Sequence, residues 1–268
     1  MLIGDIEVLP LSDGTFVARP EYFGAHAVPD SPLHPFDQDG YAWLPIGCFL
    51  VRTGDRVVLV DAGLGPARDE MPHGMALVGG QLPVALRAAG VAPDEITDVV
   101  VTHLHLDHVG WLFDRDGVPG FPGATIWFGS GDWDHFVVGA GQLAEHIRHG
   151  FLTAGSRIRP LDGDHVLAPG IDLTATPGHT PGHLSIVVSS GRQRAILLGD
   201  AITCPLQLDE PTWHSVSDVD PALAARTRDR LWRELEAPDT LGAGAHFPEL
   251  RFGRVILAEG RSLWTKSS

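Results

Sequence analysis

The chain has 268 residues, 44% of them hydrophobic and 20% charged, a balance that suits a globular protein and excludes a disordered or fibrous one. Its 34 acidic residues against 19 basic ones give a formal charge of -15. That charge repels phosphate backbones and anionic bilayers, so neither nucleic acid nor a membrane is expected as a partner.

Two cysteines, Cys48 and Cys204, are too few for a disulfide framework, and the opening MLIGDIEVLP lacks the basic-then-apolar pattern of a signal peptide. A cytoplasmic location is expected. No apolar run approaches the roughly 18 to 20 residues needed to cross a bilayer.

In chain order, residues 5–18 (DIEVLPLSDGTFVA) carry a Ser-Asp-Gly turn signal between two strand-like runs and predict a hairpin. Residues 19–45 hold five prolines without clear periodicity and read as a long loop able to line a pocket. A second hairpin is expected around Thr53-Gly54-Asp55, ending at Asp61. A helix follows over 80–89, stopped by Gly90, and then a buried strand over Ile96–Thr102. Further on come a strand at Thr125–Phe128, a helix between Asp132 and Arg148, and strands within 165–175, 184–190 and 194–199. A helix over Pro221–Glu236 has Asp220 as its N-cap and proline in its first turn, and strands return over Leu241–Trp264. With no repeat, low-complexity tract or linker, residues 1–268 are read as a single domain.

The chemistry concentrates in THLHLDHVG, at the end of the buried strand, where α/β sheets commonly place ligands. His103, His105, Asp107 and His108 fall within six residues. A lone histidine at a strand end is ordinarily a hydrogen-bonded surface or core residue. Four donors packed together would leave polar groups unsatisfied without a cation, and their spacing fits two adjacent metal sites. His179, Asp200 and His246 follow apolar or glycine-rich runs, beside Gly178, Gly199 and Gly244, and can complete them. Taken singly, each of these three is as well read as a turn or loop residue.

In order along the chain, Asp61 in DAG, H-x-H-x-D-H at 103–108 with Gly110, Gly178-His179-Thr180, Gly199-Asp200 and His246 resemble the motifs of the metallo-β-lactamase superfamily, over about residues 47–256. The resemblance implies an αββα sandwich: two mixed sheets packed together with helices on the outer faces. It implies that His103, His105 and His179 hold one metal, that Asp107, His108 and His246 hold a second, and that Asp200 bridges them. Asp61 would orient a ligand or loop, and His183 would be a structural hydrogen-bonding residue. The cofactors expected are two divalent ions, zinc first, with manganese, iron or cobalt as alternatives. His26, His34, His73, His135, His146, His149, His165 and His214 have no metal spacing and are read mostly as surface residues.

A binuclear centre of this kind implies hydrolysis, with a bridging hydroxide attacking a carbonyl and Asp107 as the catalytic proton relay. Cysteine-ligand β-lactamases carry cysteine where Asp200 stands, which argues against antibiotic hydrolysis. The segments GDAITCPLQLDEP and GAHFPELRFGRVILAEG are similar to the branch of N-acyl homoserine lactonases and methyl parathion hydrolase-like enzymes. The chain departs from that branch at Thr203, where lactonases commonly have tyrosine, and at Trp111, where a second glycine often follows the cluster. Trp43, Phe49, Trp111, Leu206 and Trp213 are candidate pocket walls for a neutral or hydrophobic lactone or ester. A phosphotriesterase side activity is expected. The alternatives are a phosphotriesterase proper, a thioesterase similar to glyoxalase II, a mononuclear iron persulfide dioxygenase, and a metal-stabilised binding protein without turnover. Exchange of the 19–45 loop between subunits would make a homodimer.

Overall fold

The computed structural model describes residues 1–25, 28, 34–209, 212–258 and 261–267. Two sheets form among them. The first runs, in spatial order, Arg68–Glu70, Ala76–Val78, Ile6–Ala18, Ala42–Thr53, Arg56–Val60, Asp98–Val100, Thr125–Gly129 and Ile158–Leu161, with Leu2–Ile3 pairing beside Ile6–Ala18. The second runs His165–Ala168, Ile171–Ala175, Leu184–Ser190, Gln193–Leu197, Thr240–Ala243, Gly253–Ala258 and Arg261–Lys266.

Strand side chains alternate between faces, and the alternation builds the layers. Phe49, Val51, Val58, Val60 and Val100 of the first sheet meet Leu173, Ile186, Val188, Ala195 and Leu197 of the second in one buried layer. Leu50, Leu59 and Val99 point the other way, onto Leu82 and Leu86 of the helix Leu82–Ala88 and Ile147 and Phe151 of the helix Glu145–Thr153. Ile196 and Leu198 likewise cover Leu231 and Leu235 of the helix Pro221–Leu235. Helices therefore lie outside both sheets. The Asp220 carboxylate caps the last of these helices, accepting from the Leu223 N–H at 2.9 Å.

Both sheets are mixed, and their parallel pairs explain where polar residues gather. Arg56–Val60 and Asp98–Val100 are parallel neighbours, so Asp61 and the 102–108 segment leave the first sheet from one end. Gln193–Leu197 and Thr240–Ala243 are parallel neighbours in the second, and Asp200 and His246 follow their ends in the same way. Ligand chemistry at the carboxyl ends of parallel strands is the general rule for such sheets.

The expected hairpin over 5–18 is instead one strand, Ile6–Ala18, paired with Ala42–Thr53 across a bulge between Ser12 and Gly14. The Ser-Asp-Gly signal marks that bulge, which turns the Asp13 side chain inward. The expected helix over 132–148 is split: a helical segment, Ser130–Asp132 running into the π-helical turn Trp133–Val137, precedes the helix Glu145–Thr153, with Gly139 and Gly141 between them. The 19–45 segment is shorter as a loop than expected. Pro20–Phe23 forms a helical turn and the strand starts at Ala42, while residues 26, 27 and 29–33, and with them His26, lie outside the described residues. Among the described residues no helix is long and apolar enough to cross a membrane.

Candidate metal centre

His105 is the extended residue just before the short helix Leu106–Val109, so the chain turns soon after the buried strand and carries His103, His105, Asp107 and His108 around one point. His179 comes from the turn between Ile171–Ala175 and Leu184–Ser190. Gly178 (φ 133°) and Gly199 (φ 53°) make the approach feasible, since a Cβ at Gly178 would meet Ala224 N at 2.3 Å and one at Gly199 would meet His183 Nε2 at 2.7 Å. The sequence-predicted donors converge. His103, His105 and His179 form one set, Asp107, His108 and His246 another, and His103, His108 and Asp200 a third, with ligand atoms inside 4.8 Å of one another in each.

Asp200 sits between the first two sets. Its Oδ2 is 3.7 Å from His179 Nε2 and 3.4 Å from His246 Nε2, and its Oδ1 is 3.8 Å from His108 Nε2. Asp107 Oδ2 is 3.3 Å from His246 Nε2, and His105 Nδ1 is 3.0 Å from His179 Nε2.

The far nitrogens of four of the rings are tied down. His108 Nδ1 lies 2.9 Å from Asp61 Oδ2, His179 Nδ1 lies 2.8 Å from Asp218 Oδ1, and His246 Nδ1 lies 2.7 Å from the Pro45 carbonyl. His103 Nδ1 contacts the Thr102 hydroxyl at 3.0 Å, and that hydroxyl donates onward to Asp61. Each of these contacts turns the opposite nitrogen inward, as outer partners do for metal-binding histidines. His183 keeps its expected structural place: its Nε2 accepts the Asp200 N–H at 3.0 Å and its Nδ1 meets Thr176 Oγ1 at 2.8 Å.

Whether this cluster fits cations is decided by what it leaves unpaired. His103 Nε2, His108 Nε2 and Asp200 Oδ1 are buried with no hydrogen-bond partner among the described residues. Buried polar atoms are ordinarily satisfied, and three orphans facing one another are what a pair of cations would resolve. The titration pattern agrees. Burial and the neighbouring imidazoles hold His103 well below its ordinary value, and burial with His179 takes His105 down to about 3, so both rings are neutral donors. Against burial, His108 and His246 hold Asp107 at about 2, and His246 keeps Asp200 below its usual range. Also against burial, Asp61 and Asp107 lift His108 to about 9, and Asp200 lifts His246 well up. The carboxylates thus demand positive charge, and divalent ions can supply it in place of ring protons.

Sequence reasoning did not identify Asp132 or Asp218. Asp132 accepts from Leu104 N at 2.9 Å, Thr180 Oγ1 at 2.9 Å and Gly182 N at 2.7 Å, stapling the 102–108 loop to the 178–183 loop. Asp218 holds His179 and is itself met by Arg228 Nη2 at 3.4 Å. Neither lies in a repeating pattern that could have singled it out.

A cavity of about 440 Å³ opens over His105, Asp107 and Asp200, walled by Phe16, Tyr22, Leu77, Leu106, Phe136 and Val219. The expected apolar walls lie elsewhere. Trp43 is 66% exposed, Phe49 belongs to the layer between the sheets, and Leu206 and Trp213 pack in a core cluster, where Trp213 stacks on Phe23 at 5.3 Å. Trp111 donates its indole N–H to Asp13 at 2.8 Å and lines a separate cavity of about 450 Å³ with Leu82, Leu86 and Phe121. The other described histidines are exposed or half-buried, and His135 reaches the cavity wall.

The family model of the metallo-β-lactamase superfamily matches residues 41–241, and the chain belongs to that superfamily. It is 26% identical over 167 residues to an N-acyl homoserine lactonase of Bacillus cereus, a match covering 58% of this chain and 62% of that one. It is 32% identical over 204 residues to metallo-β-lactamase domain-containing protein 1 of Homo sapiens, covering 70% and 64%. Among solved structures, AidC, a dizinc quorum-quenching lactonase in complex with its product, superposes with a TM-score of 0.87 at 23% identity, over 100% of this chain and 96% of that one. The hydrolase AbOPH gives 0.83 at 26% identity, over 100% and 96%. The superposition agrees with the αββα sandwich built above.

Proposed function

We propose that the chain is a binuclear metal-dependent hydrolase of neutral, hydrophobic lactones or esters. The observation that carries this reading is the pair of donor sets converging on Asp200 beneath an apolar-walled cavity. In it, His103, His105 and His179 hold one ion, Asp107, His108 and His246 hold the other, and Asp200 serves both. Bound there, two divalent ions, zinc first and manganese, iron or cobalt next, supply an activated water and a polarised carbonyl.

The chain's own groups do the rest. Phe16, Tyr22, Leu77, Leu106, Phe136 and Val219 receive the apolar part of the substrate and exclude water from it. Exposed Asp69 and Glu70 at the same cavity disfavour anionic substrates. Asp107, 8% exposed where Asp200 is 2%, is the carboxylate of the cluster with more access to the cavity. It accepts the proton released by attack and delivers it to the leaving oxygen. The reading takes residues 1–268 as one domain in the cytoplasm, where two buried cysteines ask for no oxidising compartment. It keeps a phosphotriesterase side activity and a homodimer. A monomeric mass in solution removes the dimer.

The test is a panel of an acyl homoserine lactone, an aromatic lactone, an aryl ester and a phosphotriester, with metal content determined, for the wild type and His105→Ala. Turnover of a lactone or ester with two metals bound, abolished by the substitution, is expected. One iron per chain with oxygen consumption would replace this reading with the persulfide dioxygenase.

A further inference from the structure

Tyr22 stands out among the cavity walls because it is buried (5% exposed) and yet carries a hydroxyl. Its ring is fixed on two sides, by Phe16 at 4.8 Å and 76° and by Phe23 at 5.2 Å and 86°. Phe16 in turn meets the His246 ring edge-on at 5.3 Å, so the phenol is held in register with the metal-facing cluster. The backbone is held as well: Tyr22 N donates to Arg19 O at 3.0 Å, and Tyr22 O accepts from Val216 N at 2.9 Å.

The 215–217 segment, held to Tyr22 by the Val216 N–H, places the Ser215 and Ser217 side chains beside the hydroxyl, where they favour its ionisation against burial, and Ser217 also lines the cavity. Serine hydroxyls both donate and accept. A ligand oxygen can therefore take the phenol proton's hydrogen bond while a serine hydroxyl rotates to donate to Tyr22, and no buried group is left unpaired. The ionised carboxylates Asp107 and Asp200 can only accept. Among the cluster's histidines, His103, His108, His179 and His246 are committed at their far nitrogens, and Gln142 is exposed. Tyr22 is thus a neutral donor deep in the site. A phenol ordinarily keeps its proton at neutral pH, and burial favours the neutral form further. Thr203, three residues after Asp200, is not among the cavity-lining residues; it is fully buried, with its hydroxyl 3.5 Å from the Asp200 carbonyl and its N–H on Gln207.

We propose that Tyr22 is a catalytic residue whose hydroxyl donates a hydrogen bond to the substrate oxygen that gains negative charge during hydrolysis, positioned for this by Ser215 and Ser217. The inference rests on the hydrolytic reading above. The phenol keeps its proton throughout, so its contribution is charge stabilisation and proton delivery stays with Asp107. Donors of this kind act mainly on the transition state.

Tyr22→Phe preserves the ring and its packing and removes only the hydroxyl. With N-hexanoyl homoserine lactone as probe and two metals confirmed, kcat is expected to fall about 10- to 100-fold with KM within about threefold of wild type. Calorimetric binding of the ring-opened product, N-hexanoyl-homoserine, is expected to weaken about threefold or more, since one hydrogen bond is lost. A kcat within about twofold of wild type, with product binding unchanged, overturns the role and leaves Tyr22 a packing residue. If Tyr22→Phe loses metal or melts early, Ser217→Ala decides. A several-fold drop in kcat at unchanged metal content supports the proposal, and an unchanged kcat overturns it. If the loaded wild type hydrolyses nothing in the panel, the hydrolytic reading fails and this inference falls with it.

Discussion

The proposed ligands reach the candidate centre by two routes that the fold supports differently. His103, His105, Asp107 and His108 arrive together on one loop, whereas His179, Asp200 and His246 each arrive on a separate turn of the second sheet. On the first route a single carboxylate serves more than one ring: Asp61 meets His108 directly and reaches His103 through the Thr102 hydroxyl. On the second, each group has its own anchor. Asp218 with Arg228 behind it holds His179, the Pro45 carbonyl holds His246, and His183 holds the Asp200 backbone. A compact ligand string can share one support, and dispersed ligands cannot. The shared support is the more vulnerable one.

Asp61→Asn is therefore expected to have the largest effect on metal retention. Asp61 has φ 62°, a left-handed conformation that asparagine tolerates, so the backbone is spared. Its carboxylate accepts from Thr102 N at 2.7 Å, from Thr102 Oγ1 and from His108 Nδ1. An amide has one acceptor oxygen, so its NH₂ must face at least one of these donors. Each outer partner is worth about 10- to 100-fold in metal affinity, and two rings are affected here. We expect metal affinity to fall by about 100-fold or more, with both ions lost on dialysis against a mild chelator. Retention of both ions would show that the rings are held by packing rather than by Asp61.

Asp218→Asn sharpens the contrast from the other side. It disturbs one ring, so a loss of about 10-fold, confined to one of two metal equivalents, is expected in a competition titration. It also leaves the buried Arg228 facing an amide, which costs about 1 to 3 kcal/mol and lowers Tm. Simultaneous loss of both equivalents would mean that the two routes are supported in common.

The same contrast explains what could be read in advance. The H-x-H-x-D-H string stood out because its donors are neighbours in sequence, whereas His179, Asp200 and His246, each weak alone as a residue beyond an apolar or glycine-rich run, gained weight from their resemblance to a family's ordered motifs. Asp132 and Asp218 carry no such pattern. Their role comes from which loops the sheets bring together, as does that of Phe16 and Tyr22, on elements far from the cluster in sequence. The predicted pocket aromatics failed for the same reason: Phe49 and Trp213 are apolar residues that tertiary packing assigned to core. At Ser12-Asp13-Gly14 the turn chemistry was read correctly but misassigned, since the residues that close a hairpin also suit a bulge.

That bulge supplies the control for the comparison. Buried Asp13 accepts more hydrogen bonds than Asp61. Its Oδ2 takes Leu64 N at 2.8 Å and Gly65 N at 3.1 Å, and its Oδ1 takes Gly80 N at 3.2 Å, Leu82 N at 2.8 Å and Trp111 Nε1 at 2.8 Å. Those donors organise the loops beside the centre but include none of the proposed ligands. Asp13→Asn would turn an amide NH₂ toward at least two of them, at a cost of about 2 to 4 kcal/mol in global stability. Its metal affinity, measured well below Tm, should stay within about twofold of wild type, because a change in the folded population is not a change at the site. If Asp13→Asn instead sheds metal as Asp61→Asn does, ligand geometry depends on the whole carboxylate-braced end of the first sheet. The distinction between shared and private anchors would then have to be redrawn around Asp13.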